Sequence, residues 1–172
     1  MTGRRKALAV ILAAVCCSGA AFADVEDDYA RQSWREGEVV FPAPPSASDL
    51  REFYVSAVAE NRFFVDLSTL NVGGDGVVRY VLVVLTQGGA RNVSFEGMRC
   101  ETREWRLYAS GRADGSWSRA RNESWFPVRE AAVNRHRAVL FLDYFCPAGV
   151  IVRNVGELKR ALQRPAATPS NP

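Results

Sequence analysis

The sequence predicts an α+β fold: an antiparallel β-meander sheet with C-terminal helices packed on one face. Three observations predict it. Residues 53–125 hold runs rich in Val, Phe, Tyr and Trp, cut at intervals by turns dense in Gly, Asn and Asp. Residues 129–145 then run without Gly or Pro, and 154–163 carry a helix cap and an apolar stripe. Finally, Cys100 and Cys146 fall one in the strand-rich part and one in the helical part, placed to tie the two together.

The chain opens on an export pattern. Arg4, Arg5 and Lys6 precede an uncharged apolar run over 7–15, and Ala21-Phe22-Ala23 supplies a small-x-small cleavage site before Asp24. Residues 1–23 thus read as a signal peptide, with an apolar run shorter than the roughly 20 residues that span a bilayer. No transmembrane segment is expected after cleavage. Cys16 and Cys17 follow Val15 and Cys16, whereas lipidation needs a small residue before the acceptor, so the expected product begins at Asp24.

Residues 24–48 read as an extended N-terminal segment. Its acidic start is solvated, Trp34 and Val39-Val40-Phe41 offer anchors, and Pro42, Pro44 and Pro45 exclude helix. A single domain then spans 49–163. Strands are expected over 53–58 and 62–66, a helical turn over 67–70, and a hairpin turn over 71–76, where Asn and Gly tolerate positive φ. The nearly continuous apolar run at 77–86 predicts a central strand covered on both faces. After a turn at 87–89 come a strand over 93–98 and one over 104–110. The latter alternates Trp105 and Leu107 against Arg106 and Tyr108. A turn at 113–115 and a last strand over 116–125 close the sheet. Residues 129–145 predict a helix ended by Cys146-Pro147, although 139–145 also fits a buried strand. Asn154 as N-cap, Glu157 three residues on, and Val155, Leu158 and Leu162 on one face predict a second helix. Residues 164–172 read as a flexible tail.

Charge removes one class of function. Cleavage after Ala23 takes away three of the 22 basic residues and none of the 19 acidic ones, leaving a formally neutral chain of 149 residues. No nucleic-acid partner is therefore expected. The charge is asymmetric: residues 24–98 hold 12 acids and 6 arginines, and residues 99–172 hold 7 acids and 13 Lys plus Arg. That asymmetry fits halves packed together, or an arginine-lined face for an anionic glycan or lipid. In an exported chain the remaining pair, Cys100 and Cys146, reads as a disulfide.

Catalytic patterns are scarce. His136 is the only histidine, flanked by Arg135 and Arg137, and is expected on the surface or a helix flank. Metal-ligating and nucleophilic spacings are missing, as are phosphate-loop and calcium-loop patterns. No cofactor or metal is expected. Carboxylates leave one acid–base route, with Asp66, Asp75, Glu96 and Asp143 as candidates for a glycan hydrolase. Asp75 is otherwise explained by its turn, Asp66 by capping and Asp143 by a helix edge. The candidate binding surface is Trp105, Trp117 and Trp125 interleaved with Arg103, Arg106, Arg119 and Arg121. Indoles stack on sugars and guanidinium groups clamp anions, but the same tryptophans also fit a core.

Phe-Tyr-Val-Ser at 53–56, Asn-Arg-Phe-Phe-Val-Asp at 61–66, Gly-Asp-Gly-Val-Val-Arg-Tyr at 74–80, Asn-Val-Ser-Phe-Glu-Gly-Met-Arg-Cys at 92–100 and Phe145-Cys146-Pro147 occur in this order. The combination resembles the CNP-like family of exported proteobacterial proteins, of the cryptic neisserial type. The resemblance spans most of the mature chain, implies a cell-envelope location and transfers no catalytic residue. The layout of 62–108 is also similar to surface-adhesin E-type domains, which implies adhesin-like binding of host matrix proteins. The expectation is an exported, periplasmic or surface, non-enzymatic binding or structural module, whose partner is an envelope protein, glycan or anionic lipid.

Overall fold

In chain order the strands are β1 (Leu50–Phe53), β2 (Arg62–Asp66), β3 (Asn71–Val72), β4 (Val77–Leu85), β5 (Arg91–Arg99), β6 (Glu104–Gly111), β7 (Trp117–Arg119) and β8 (Phe126–Pro127). The computed structural model describes residues 34–131 and 134–164. Residues 1–23, read above as a signal peptide, residues 24–33 of the expected lead-in and 165–172 of the expected tail lie outside them. The chain divides into two compact units, Met1–Arg35 and Glu36–Pro172, and the second carries the sheet.

All eight strands join one antiparallel sheet ordered β1-β2-β4-β5-β6-β7, with β3 beside β2 on β4 and β8 beside β7 on β6. The α+β meander read from the sequence is the fold observed. At its centre, β4 and β5 pair from Val77↔Arg99 to Leu85↔Arg91. Period-two alternation sends Val78, Tyr80 and Leu82 into one core and Val81 and Val83 into another. The continuous apolar run is thereby explained, because both faces of β4 are buried.

Helices cover the first face. α1 begins as Arg135–Val139 and widens into a π-helical stretch, Leu140–Phe145, where the Cys146 N–H donates to the Phe141 carbonyl. Leu140, Phe141 and Phe145 enter the core together with Cys146. α2 (Val155–Gln163) starts as expected: Asn154 accepts from the Glu157 N–H at 2.9 Å, and Leu158 and Leu162 are buried. Cys100 and Cys146 form a disulfide with Cα atoms 5.4 Å apart, tying the end of β5 to the end of α1. No helix among the described residues is long and apolar enough to cross a membrane.

The second face is closed by the extended segment at 36–45, here called the strap. Val39 and Phe41 turn inward against Val81, Phe95 and their neighbours, whereas Val40 points to solvent. Trp117 donates its indole N–H to the Pro42 carbonyl at 2.8 Å, pinning the strap further along.

Four element boundaries differ from the sequence reading. Asn71–Val72, expected in the hairpin turn, pair with β4 as β3, and the turn itself is closed by the Gly76 N–H donating to the Gly73 carbonyl. The first strand is Leu50–Phe53, because Phe53 pairs with Phe63 and the residues after it form the loop to β2. Of the strand expected over 116–125 only β7 (Trp117–Arg119) forms; a turn follows in which Asn122 accepts from the Ser124 N–H, and β8 comes after it at Phe126–Pro127. α1 starts at Arg135 rather than Arg129, and the segment at 139–145 is helical.

Candidate functional site

Glu96 stands where β5 and β6 slip register, between Phe95 and Glu96, and its side chain points toward α1. It is fully buried and accepts four hydrogen bonds. Arg137 donates through Nε at 2.9 Å and Nη2 at 2.7 Å, Tyr80 through its hydroxyl at 3.0 Å, and Ser94 at 2.7 Å. The Arg137 guanidinium lies 3.5 Å from the centre of the Trp105 ring. Burial pushes the Glu96 carboxyl up, but the Arg137 charge and the donated hydrogen bonds outweigh it and hold the group below its ordinary value. Burial and the neighbouring Glu96 push the Tyr80 phenol far upward. The set fastens α1 to the sheet.

A second polar set fastens the strap to the other face. Glu36 accepts from Arg106 at 2.5 Å and from the Tyr108 hydroxyl, and lies 3.4 Å from Arg79. Arg79 also donates to Asp75 at 2.5 Å, and Asp75 accepts the Gly37 N–H at 2.7 Å. Burial raises the Asp75 carboxyl, but Arg79 and the Gly37 hydrogen bond pull it below its usual range. Gly97 makes this arrangement possible, since a Cβ there would sit 2.3 Å from the Tyr108 hydroxyl oxygen.

Between the β1–β2 loop and α1 lies a cleft of about 480 Å³, lined among others by Ser56, Glu60, Asn61, Phe63, Arg135 and His136. His136 is 8% exposed and stacks on Phe63, ring centres 5.0 Å apart. Burial, then the Arg137 charge, lowers it to about 4, so it is neutral at pH 7. The surface or helix-flank position expected for His136 is corrected: its side chain is buried, as Ala138 is, while Arg135 is exposed and Arg137 turns to Glu96. Among the described residues, no three His, Cys, Asp or Glu side chains are grouped to hold a metal ion.

The seven residues of the candidate surface do not come together on one face. Trp105 packs on the helix side, against Arg137 and Phe126. Arg103 reaches Glu130 and the Phe141 ring. Arg106, next along β6, points to the opposite face and is spent on Glu36. Trp117 is on the strap side, tilted against Phe95, and Arg119 lies 4.6 Å over the Phe41 ring. Trp125 is half-buried and Arg121 exposed. The strap side carries a further pocket of about 380 Å³, walled by Pro44, Pro45, Val93 and Trp117, with Arg91 and Arg112 at it. Sequence reasoning missed those two arginines: Arg91 precedes the tryptophan-rich stretch and Arg112 lies within it, each beside a turn at a strand end.

A family model described as the CNP1-like family matches residues 29–163. No curated protein and no solved structure matches the chain.

Proposed function

The chain belongs to the CNP1-like family, and we propose that it is an exported, non-enzymatic binding module of the cell envelope that holds an anionic envelope component on the strap side of its sheet. The observation that carries this reading is how the arginines sort. Arg79, Arg106 and Arg137 are half-buried or buried and committed to Glu36, Asp75 and Glu96. Arg91, Arg112, Arg119 and Arg121 are exposed, and among the described residues no carboxylate lies within ion-pair distance of them. Unpaired guanidinium groups beside Trp117 and Phe41 suit an anion presented on a flat apolar body.

Export is supported by the pattern of residues 1–23 and by a disulfide, which persists in oxidising compartments. The non-enzymatic reading is supported by the state of the carboxylates. Glu96 is saturated with donors on one face, Asp75 and Glu36 are paired on the other, and Asp66 caps its turn through Ser68. Paired hydrolytic carboxyls instead flank one scissile bond, about 5–9.5 Å apart.

The oxidised mature domain, passed over immobilised acidic and neutral polysaccharides and floated with anionic and zwitterionic vesicles, tests the proposal. Retention by the acidic members alone, weakened by salt, is expected. Equal retention by neutral members, or none at all, overturns it, and retention only by host matrix proteins favours the adhesin-like alternative.

A further inference from the structure

We infer that the strap-side pocket at Trp117 is a saccharide site for a sugar ring carrying a carboxylate or phosphate group, an inference that rests on the binding reading above and names its ligand class. Its volume of about 380 Å³ lies within the about 300–1,000 Å³ typical of small-ligand sites. The walls are flat and apolar: two proline rings from the strap, Val93 from β5 and the indole of Trp117. Such surfaces match the C–H face of a pyranose. The charges at the pocket are placed for an anionic substituent. Arg91 begins β5 and Arg112 follows β6, both exposed, and Arg112 donates to the Ser118 hydroxyl at 3.4 Å. The one acid at the pocket, Asp114, is turned back on its own loop, accepting from the Ser116 N–H at 2.9 Å and hydroxyl at 2.7 Å.

The pocket is also held rigid. Trp117 is locked between Phe95 and the Pro42 carbonyl, so its ring needs no reordering on binding. Two glycines bring the walls together. A Cβ on Gly111 would come 2.8 Å from the Val93 Cβ, and one on Gly115, whose φ is +83°, would come 3.2 Å from Pro44. The pocket is therefore shaped by the same tight packing that seats the strap.

Binding of four probes to the oxidised mature domain tests this: an oligouronide, a phosphorylated oligosaccharide, the neutral parent oligosaccharide and inorganic phosphate. Calorimetry is expected to show at least one acidic saccharide binding more tightly than both the neutral sugar and free phosphate. The double variant Arg91→Gln/Arg112→Gln, altered only at exposed positions, is expected to lose about tenfold or more toward the acidic saccharide and nothing toward the neutral one. Trp117→Phe, which keeps an aromatic against Phe95, is expected to weaken the acidic and neutral sugars in the same proportion. Free phosphate binding as tightly as the phosphorylated saccharide overturns the saccharide assignment. Unchanged binding in R91Q/R112Q, with loss in Arg119→Gln/Arg121→Gln, moves the site off this pocket and leaves the anionic-binding reading standing. If no acidic saccharide binds, the inference falls; if anionic vesicles fail as well, that reading falls with it.

Discussion

Replacing Arg137 by Met would leave Glu96 buried with its countercharge gone. In the native protein that carboxylate has no solvent contact and draws two of its four hydrogen bonds from Arg137. Removing one partner of a buried pair costs about 3–5 kcal/mol, a large part of the about 5–15 kcal/mol that holds a domain folded. The pH dependence gives a second, sharper readout. In the wild type Glu96 is held below its ordinary value of 4.5. Its contribution is therefore full above that value and is lost as pH falls through the lower native one. In Arg137→Met the burial that now dominates raises the group instead. The variant is then weakest at neutral pH and regains stability as acid protonates Glu96. Urea unfolding in a His136→Phe background, followed by tryptophan fluorescence from pH 3 to pH 8, would show the protein with Arg137 flat above 4.5 and losing stability below it, and the Arg137→Met variant gaining stability as pH falls. The double variant Glu96→Gln/Arg137→Met, with no buried charge, should recover part of the loss and show a flat profile at this site. A single variant within about 1 kcal/mol of wild type, with the wild-type slope, would refute the account of Glu96 and Arg137 as the fastening between sheet and helix.

Three further outcomes are expected. Reducing the Cys100–Cys146 bond, whose residues are 46 apart in sequence, should cost about 4 kcal/mol by loop entropy, seen as a lowered Tm in thiol-containing buffer. The depressed pKa of His136, about 4 against an ordinary 6.5, makes its contribution full above 6.5. That contribution is lost as pH falls toward the native value, by about 3 kcal/mol; His136→Phe should abolish this acid sensitivity, and an NMR titration of the imidazole reads the pKa directly. Gly97→Ala should destabilise by about 1–3 kcal/mol, because the added methyl meets the Tyr108 hydroxyl; thermal unfolding measures it.

Much of the fold was legible because local rules and tertiary needs agree. The Gly-rich turns, the apolar run of β4 and the Asn154 cap each act within a few residues and are found close to where the pattern puts them, although Asn71, expected in a turn, pairs with β4 instead. The disulfide followed from cysteine count and the export pattern. What was not legible depended on pairing across the sheet. The break between β7 and β8 carries a local sign in the Asn122 turn, but which residues dock on β6, at Ala109↔Arg119 and Trp105↔Phe126, is set by pairing across the sheet. Helix α1 widens to π geometry so that Phe141, Phe145 and Cys146 can all face inward, a packing demand invisible to periodicity.

The candidate surface failed to assemble for a reason that was partly readable. Alternation along β6 already places Trp105 and Arg106 on opposite faces, so a set containing both is divided before any packing is considered. Arg91 and Arg112 were overlooked because they flank turns 21 residues apart in sequence, and only the pairing of β5 with β6 brings those turns to one end of the sheet. Glu96 left a clearer trace: a lone acid between Phe95 and Gly97 inside a strand signals a buried charge that needs a partner. His136 was misplaced because a lone histidine has no partner in view in the sequence, whereas its partner here, the Phe63 ring, comes from β2 and meets it only through packing of α1 on the sheet.

The division between structural and unpaired arginines is tested most directly by following backbone and indole N–H resonances of the isotope-labelled, oxidised mature domain during titration with an oligouronide. The account predicts shifts confined to Arg91, the turn at 112–115, the Trp117 indole and Arg119, while Tyr80, Glu96 and Arg137 stay unmoved. Shifts gathered instead around His136 and Phe63, or spread through the helix face, would contradict it.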